Sequence, residues 1–275
     1  MSRYATLNGV NRKLGEGWGT VNGVYRNLGV GFVTQNGVWK ECFSSDMPLS
    51  ALPVGALIST NVNGTAKSFI VVHHGLPASM YDSSCDGTWL LMKDIYENRK
   101  WHNYRVNDYE KSTTHSYLNS TFVGLFDSNV QSLIKQVKIP YRKGDGTGTT
   151  ATSGANGLSA KIFLLSATEV SAKGEEFPLE GGELSYFYGC SDTSADIKRV
   201  AYLNGAAKSW WLRSPYCWID YDEEYHYFSS RILDDGTPYR GYAEASWGIR
   251  PAMILPSEAI VNPKPNADGS YTLLV

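Results

Sequence analysis

The stretch "WWLRSPYCWIDYDEEYHYFSSRILDDGTPYRGYAEASWGIRP", residues Trp210 to Pro251, decides how this chain is read. Two apolar, packable ends, Trp-Trp-Leu-Arg-Ser-Pro and Trp-Gly-Ile-Arg-Pro, enclose some thirty residues crowded with Tyr, Asp, Ser and Arg. The rings at the ends, Trp210, Trp211 and Trp247, together with Ile249, are candidate core. The tyrosines between them have a different logic. A Tyr side chain offers large contact area and a hydroxyl while immobilising only two torsions, which is why binding loops favour it. Tyr216, Tyr221, Tyr225, Tyr227, Tyr239, Arg240 and Tyr242 are therefore expected to be exposed and clustered on one face. The Asp235-Gly236 pair is a hairpin turn signal that would return residues 239–243 alongside residues 216–230.

Composition agrees with a β- and loop-rich protein. The chain has 275 residues, 42 % of them hydrophobic, with 8 Trp, 18 Tyr and 27 Gly, enough to bury a full core with room for a smaller module. A net charge of −2 supplies no basic field for nucleic acid or anionic membrane. No apolar run approaches the roughly 20 residues of a membrane span, so no membrane insertion is expected. Met-Ser-Arg-Tyr-Ala-Thr at the N-terminus lacks an apolar signal core, and synthesis in a cytoplasm without a secretion signal follows. The four cysteines, Cys42, Cys85, Cys190 and Cys217, are scattered with no Cys-x-x-Cys spacing; reduced, structural thiols are expected rather than disulfides or zinc.

The first 43 residues repeat. Asn8-Gly9-Val10, Asn22-Gly23-Val24 and Asn36-Gly37-Val38 recur every 14 residues, with Arg12, Arg26 and Lys40 in phase. Asn-Gly flanked by apolar residues is a strong signal for a two-residue hairpin, because both positions must accept positive φ. Units this small cannot bury an apolar face alone, so residues 1–43 read as a β-hairpin module for attachment or oligomerisation. Residues 44–56 read as a linker and 57–275 as the main domain. Within it "GALIST", "KSFIVVHHG" and "TWLLMKDIY" read as strands. Short helices begin at Ser112 to Thr114 and at Asp127, both with helix-cap chemistry. "GDGTGTT" lacks the Gly-Lys-Ser/Thr ending of a phosphate loop and reads as an exposed loop.

No active site can be read from the residues. His73 and His74 are adjacent on an expected strand, so they face opposite sides and cannot share a metal. His102 and His115 have no spaced partner, and no metalloprotease, nucleophile-elbow or EF-hand motif occurs. The acidic run Asp220, Asp222, Glu223 and Glu224 reads as a solvated face or a patch for a basic partner before a cation site. No catalytic residue, metal or cofactor is expected.

The ordered set "AKIFLLSATEV", "RVAYLNGAAKSWWLRSP", Asp235-Gly236 and Gly248 to Pro251 resembles a family of uncharacterised domains common in gut Firmicutes and their phages. That family is associated with the C-type-lectin-like α+β fold, in the branch of formylglycine-generating enzymes and the variable proteins of diversity-generating retroelements. The resemblance spans roughly Leu57 to Leu255. The Asn-Gly-Val repeats resemble those of phage and prophage structural proteins. Together they imply a receptor-binding protein of a phage tail tip or fibre, located in the virion. It would be held to phage structural proteins by residues 1–43, could form a homo-oligomer such as a trimer, and would bind a host-surface protein or glycan.

In retroelement variable proteins, adenine-directed diversification yields Tyr, Asp, Ser, His, Cys, Phe, Asn, Arg, Gly, Ala and Ile, but not Trp, Glu, Lys, Met or Gln. The resemblance thus marks Tyr216, Cys217, Ile219, Asp220, Tyr221, Asp222, Tyr225, His226, Tyr227, Ser229, Ser230, Tyr239, Arg240 and Tyr242 as the candidate variable surface. Trp218, Glu223, Glu224 and Glu244 depart from that set. A bacterial surface adhesin is one alternative, disfavoured without a signal peptide. A formylglycine-generating oxidoreductase is another, but Cys190 and Cys217 do not match its paired-cysteine copper motif. The Glu-Pro-Asn, Gln-Pro-Asp and Trp-Asn-Asp motifs of calcium-dependent sugar-binding lectins are absent.

Overall fold

The runs rich in Ile, Val, Leu, Phe and Trp form the strands, since β-branched and aromatic side chains suit a pleated, half-buried backbone. The computed structural model describes residues 46–143, 151–177, 179–216 and 228–275, and before them the backbone of strands Tyr4–Leu7, Val10–Lys13, Gly31–Gln35 and Val38–Phe43. It is α+β with strands predominating. A six-stranded sheet runs, in spatial order, Ile162–Phe163, Ala252–Leu255, Thr88–Met92, Thr65–His74, Leu57–Val62 and Tyr271–Thr272. A five-stranded sheet runs Pro238–Tyr242, Phe228–Ile232, Trp210–Pro215, Ser246–Ile249 and Glu97–Lys100. Neighbours are antiparallel except Tyr271–Thr272 with Leu57–Val62 and Trp210–Pro215 with Ser246–Ile249.

One continuous apolar core draws on both sheets. The Gly-Ile-Arg-Pro segment carries the chain from one sheet to the other. Ser246–Ile249 ends the first passage, and Ala252–Leu255 begins the second after Arg250-Pro251. Arg250 is buried at this crossing, donating from Nε to Met92 O at 2.8 Å and lying over the Trp210 ring at 5.0 Å. Burial pushes its guanidinium down to about 10, since a charge in low dielectric is penalised.

The helix Thr113–Tyr117 is capped by the Ser112 side chain, which accepts from His115 N. Ser128–Leu133 is also helical, but Asp127 before it makes no side-chain cap bond; its Oδ2 accepts from Asn61 Nδ2 at 3.3 Å instead. The expected linker also differs from expectation. Met47–Pro48 pairs with Ile260–Val261, and Leu49 and Leu52 are buried, because these apolar side chains find the core of the domain next to them. The folded unit therefore starts upstream of Leu57.

In the repeat region Leu7 pairs with Val10 and Gln35 with Val38. That is the register of hairpins whose connections are Asn8-Gly9 and Asn36-Gly37. The middle repeat and the "GDGTGTT" loop lie outside the described residues.

Candidate functional site

The Tyr-rich region is built around an antiparallel hairpin. Phe228–Ile232 pairs with Pro238–Tyr242, from Phe228 opposite Tyr242 to Ile232 opposite Pro238. Asp235-Gly236 forms the turn. Gly236 has φ +88°, and a Cβ there would sit 2.1 Å from Asp196 O, so both backbone and space demand glycine. Asp235 Oδ1 accepts from Thr237 N at 2.8 Å. The hairpin rests on Trp211, whose ring comes within 2.9 Å of where a side chain at Gly241 would begin.

Strand alternation splits the candidate residues between two faces. Tyr239 shares a face with Arg231, its cross-strand partner, whose guanidinium lies 4.1 Å from the Trp247 ring centroid. Arg240 and Tyr242 share the other with Phe228. Arg240 stacks over Phe228 at 4.7 Å, and the Phe228 and Tyr242 rings are 4.4 Å apart. The expectation of a single face is thus corrected: residues 239 and 242 differ by an odd number and cannot point the same way along a regular strand. Tyr239 and Tyr242 are 47 % and 40 % exposed, and Arg240 is half-buried.

Tyr216 is a second correction, at 8 % exposure. Its ring packs edge-on against Phe177 at 5.5 Å, and its N–H donates to Phe228 O. Ser229 and Ser230 are also buried rather than displayed, Ser230 donating to Pro215 O at 3.4 Å. Cys217, Ile219, Asp220, Tyr221, Asp222, Tyr225, His226 and Tyr227 lie outside the described residues. Of the candidate core, Trp210, Trp211 and Ile249 are fully buried, whereas Trp247 is half-buried.

A loop distant in sequence completes the surface. His102 N donates to Ala243 O, Asn107 Nδ2 donates to Phe228 O, and Arg105 pairs with Glu244 at 2.5 Å while lying over Tyr242 at 5.4 Å. These bonds hold Tyr104 beside the hairpin at 70 % exposure, edge-on to His102. Sequence reading missed Tyr104 and Arg105; "NYR" carries no motif, and only its tertiary neighbours give it meaning. Pro238–Tyr242 is the last strand of its sheet, and its outer edge is partly occupied. Pro238 has no N–H, Arg231 Nε occupies Arg240 O, and Ala245 N occupies Tyr242 O. Such an edge resists strand addition, so the surface offers side chains rather than backbone.

The interior also holds a buried charged cluster. Arg213 binds Glu169 through two parallel bonds, Nη1 to Oε2 at 2.6 Å and Nη2 to Oε1 at 2.7 Å, all three groups fully buried with Glu180 at 3.4 Å from Nε. Glu169 is set by a reciprocal capping box in Ser166-Ala-Thr-Glu169: Ser166 N donates to Glu169 Oε2, and Glu169 N donates to Ser166 Oγ. Tyr81 adds a hydroxyl bond to Glu169 Oε1 at 2.7 Å. Burial alone would lower the Arg213 guanidinium, but the adjacent Glu169 holds it well above its ordinary value. The S-x-x-E spacing was present in the sequence and could have marked Glu169; nothing local marks Glu180.

His73 and His74 are committed to separate partners, Ser185 Oγ at 2.8 Å and Leu52 O at 2.9 Å. Among the described residues no group of three or more His, Cys, Asp or Glu converges as metal ligands. No helix among them is long and apolar enough to cross a membrane.

An α+β domain with an exposed aromatic and arginine surface and a buried ion cluster is the class these features define. Residues 86–257 match the family described as Domain of unknown function (DUF6273), and with well over half of its length matched the chain belongs to that family. No curated protein and no solved structure matches it.

Proposed function

We propose that this protein recognises a ligand through the side chains of the Phe228–Tyr242 hairpin and the Trp101–Asn107 loop. We further propose that its scaffold is C-type-lectin-like, diversified by a retroelement and carried on a phage or prophage particle through residues 1–43. One observation carries the reading: Tyr104, Arg105, Arg240 and Tyr242 are brought together at the surface by elements some 135 residues apart, on a hairpin seated on buried Trp211. Tyr and Arg are the residues in which interface energy concentrates. The buried Tyr216, Ser229 and Ser230 fit a scaffold role beneath that surface. The ligand class is a host-surface protein or glycan.

Labelled full-length protein, applied to a panel of intact gut Firmicutes cells, tests the recognition step. Wild type should bind a subset of strains, and Tyr242→Ala should bind them about thirtyfold more weakly, the loss of one interface anchor worth ~2 kcal/mol. Equal binding by the variant, or no strain bound at all, rejects this surface. Sequencing the flanking DNA tests diversification. A reverse transcriptase gene and a near-copy of the segment encoding residues 216–243 are expected, and their absence overturns that part alone.

A further inference from the structure

The Arg213 cluster contains one carboxylate more than the bidentate pair uses. Glu180 is fully buried, and its Oε2 has no hydrogen-bond partner among the described residues. Its Oε1 accepts the Arg142 backbone N–H at 3.2 Å and lies 3.4 Å from Arg213 Nε. The groups facing it come from each element packed there: Arg213 and Ser214 from the strand, Glu169 from the capping-box turn, Arg142 by its backbone, and Tyr109 and Tyr81 behind. Both Arg213 Nη atoms already serve Glu169. A second ionised carboxylate would have to share a guanidinium whose charge is taken, in a site fully buried from the protein surface.

We propose that Glu180 is a proton-operated latch between residues 166–177 and the strand Trp210–Pro215. Protonated, it completes the packing of the two. Ionised, it sets an uncompensated negative charge beside Glu169 and loosens them. The same 166–177 segment carries Phe177, which packs on Tyr216, and Tyr216 N holds Phe228 O at the root of the hairpin. The latch therefore bears on the support of the exposed hairpin, whatever that hairpin binds. Burial raises the Glu180 carboxyl, outweighing the pull of Arg213, from 4.5 to about 7.

The sign follows. A carboxyl raised on folding stabilises the native state fully below its unfolded value, and that contribution is lost as pH rises through the folded one. The window is thus from 4.5 to about 7. Urea unfolding of the full chain across it should show the wild-type unfolding constant increasing relative to that of Glu180→Gln by up to about 300-fold, the tenfold-per-unit linkage of that shift. Parallel pH profiles for the two proteins overturn the proposal. So does a wild type that gains stability relative to the variant as pH rises. Should Glu180→Gln fail to fold, infrared difference spectra of the wild type decide. A buried protonated carboxyl band must disappear as pH is raised through neutrality, and a band absent throughout refutes the latch.

Discussion

Two strands of one sheet, Trp210–Pro215 and Pro238–Tyr242, lie on either side of Phe228–Ile232 and are built on opposite principles. All six residues of the first are buried, and its polar atoms are committed inward: Trp210 Nε1 to Arg199 O, Trp211 Nε1 to Arg99 O, Arg213 to Glu169, and Ser214 Oγ accepting from Ala167 N. The second buries only Pro238 and Gly241 and turns its large side chains outward. The lesson is that a buried polar group is stable only when its partners are in place, so the first strand tolerates little change. The second makes few demands on the core and can vary.

The comparison breaks most sharply at Arg213. Arg213→Ala leaves two buried carboxylates without their guanidinium and should cost ~5 kcal/mol, at the upper end for breaking a buried ion pair. Trp211→Ala should follow at ~4 kcal/mol through cavity formation. Urea unfolding measures both, and a loss under ~1 kcal/mol in either would contradict the contrast. Gly236→Ala is intermediate, since it strains the positive φ and meets Asp196 O. It should lower stability by ~2 kcal/mol, read as a drop in melting temperature. The smallest effect belongs to the exposed rings. Tyr239→Ala should stay within ~0.5 kcal/mol of wild type and Tyr242→Ala, which loses its stacking on Phe228, within ~1 kcal/mol. Unfolding of either variant would make the outer strand as structural as the inner one.

Much of the scaffold was legible in short apolar strings. "KSFIVVHHG" and "TWLLMKDIY" read as strands because β-branched, aromatic and other apolar residues run together in them, and Thr65–His74 pairs antiparallel with Thr88–Met92. Asp235-Gly236 announced its hairpin because a requirement for positive φ, +88° at Gly236, is local. The surface was only half legible. Tyr239 and Tyr242 could be named as exposed, but listing tyrosines ignored the two-residue alternation that puts them on different faces. Tyr216, inside the same aromatic run, is covered by Phe177 from 39 residues upstream.

What the sequence by itself determined are the properties set over a few residues: the strand-forming runs, the Ser112 cap, the turn glycines and the repeat of 14. Only the tertiary structure decided that Arg213 meets Glu169 and Glu180, that Arg250 crosses between the sheets over Trp210, and that Tyr104 and Arg105 stand beside Tyr242. The physical reason is range. Backbone preference acts through adjacent atoms and leaves its trace in neighbouring letters. Burial of a charge depends on which distant segments exclude water from it, and that information exists only once the chain has folded.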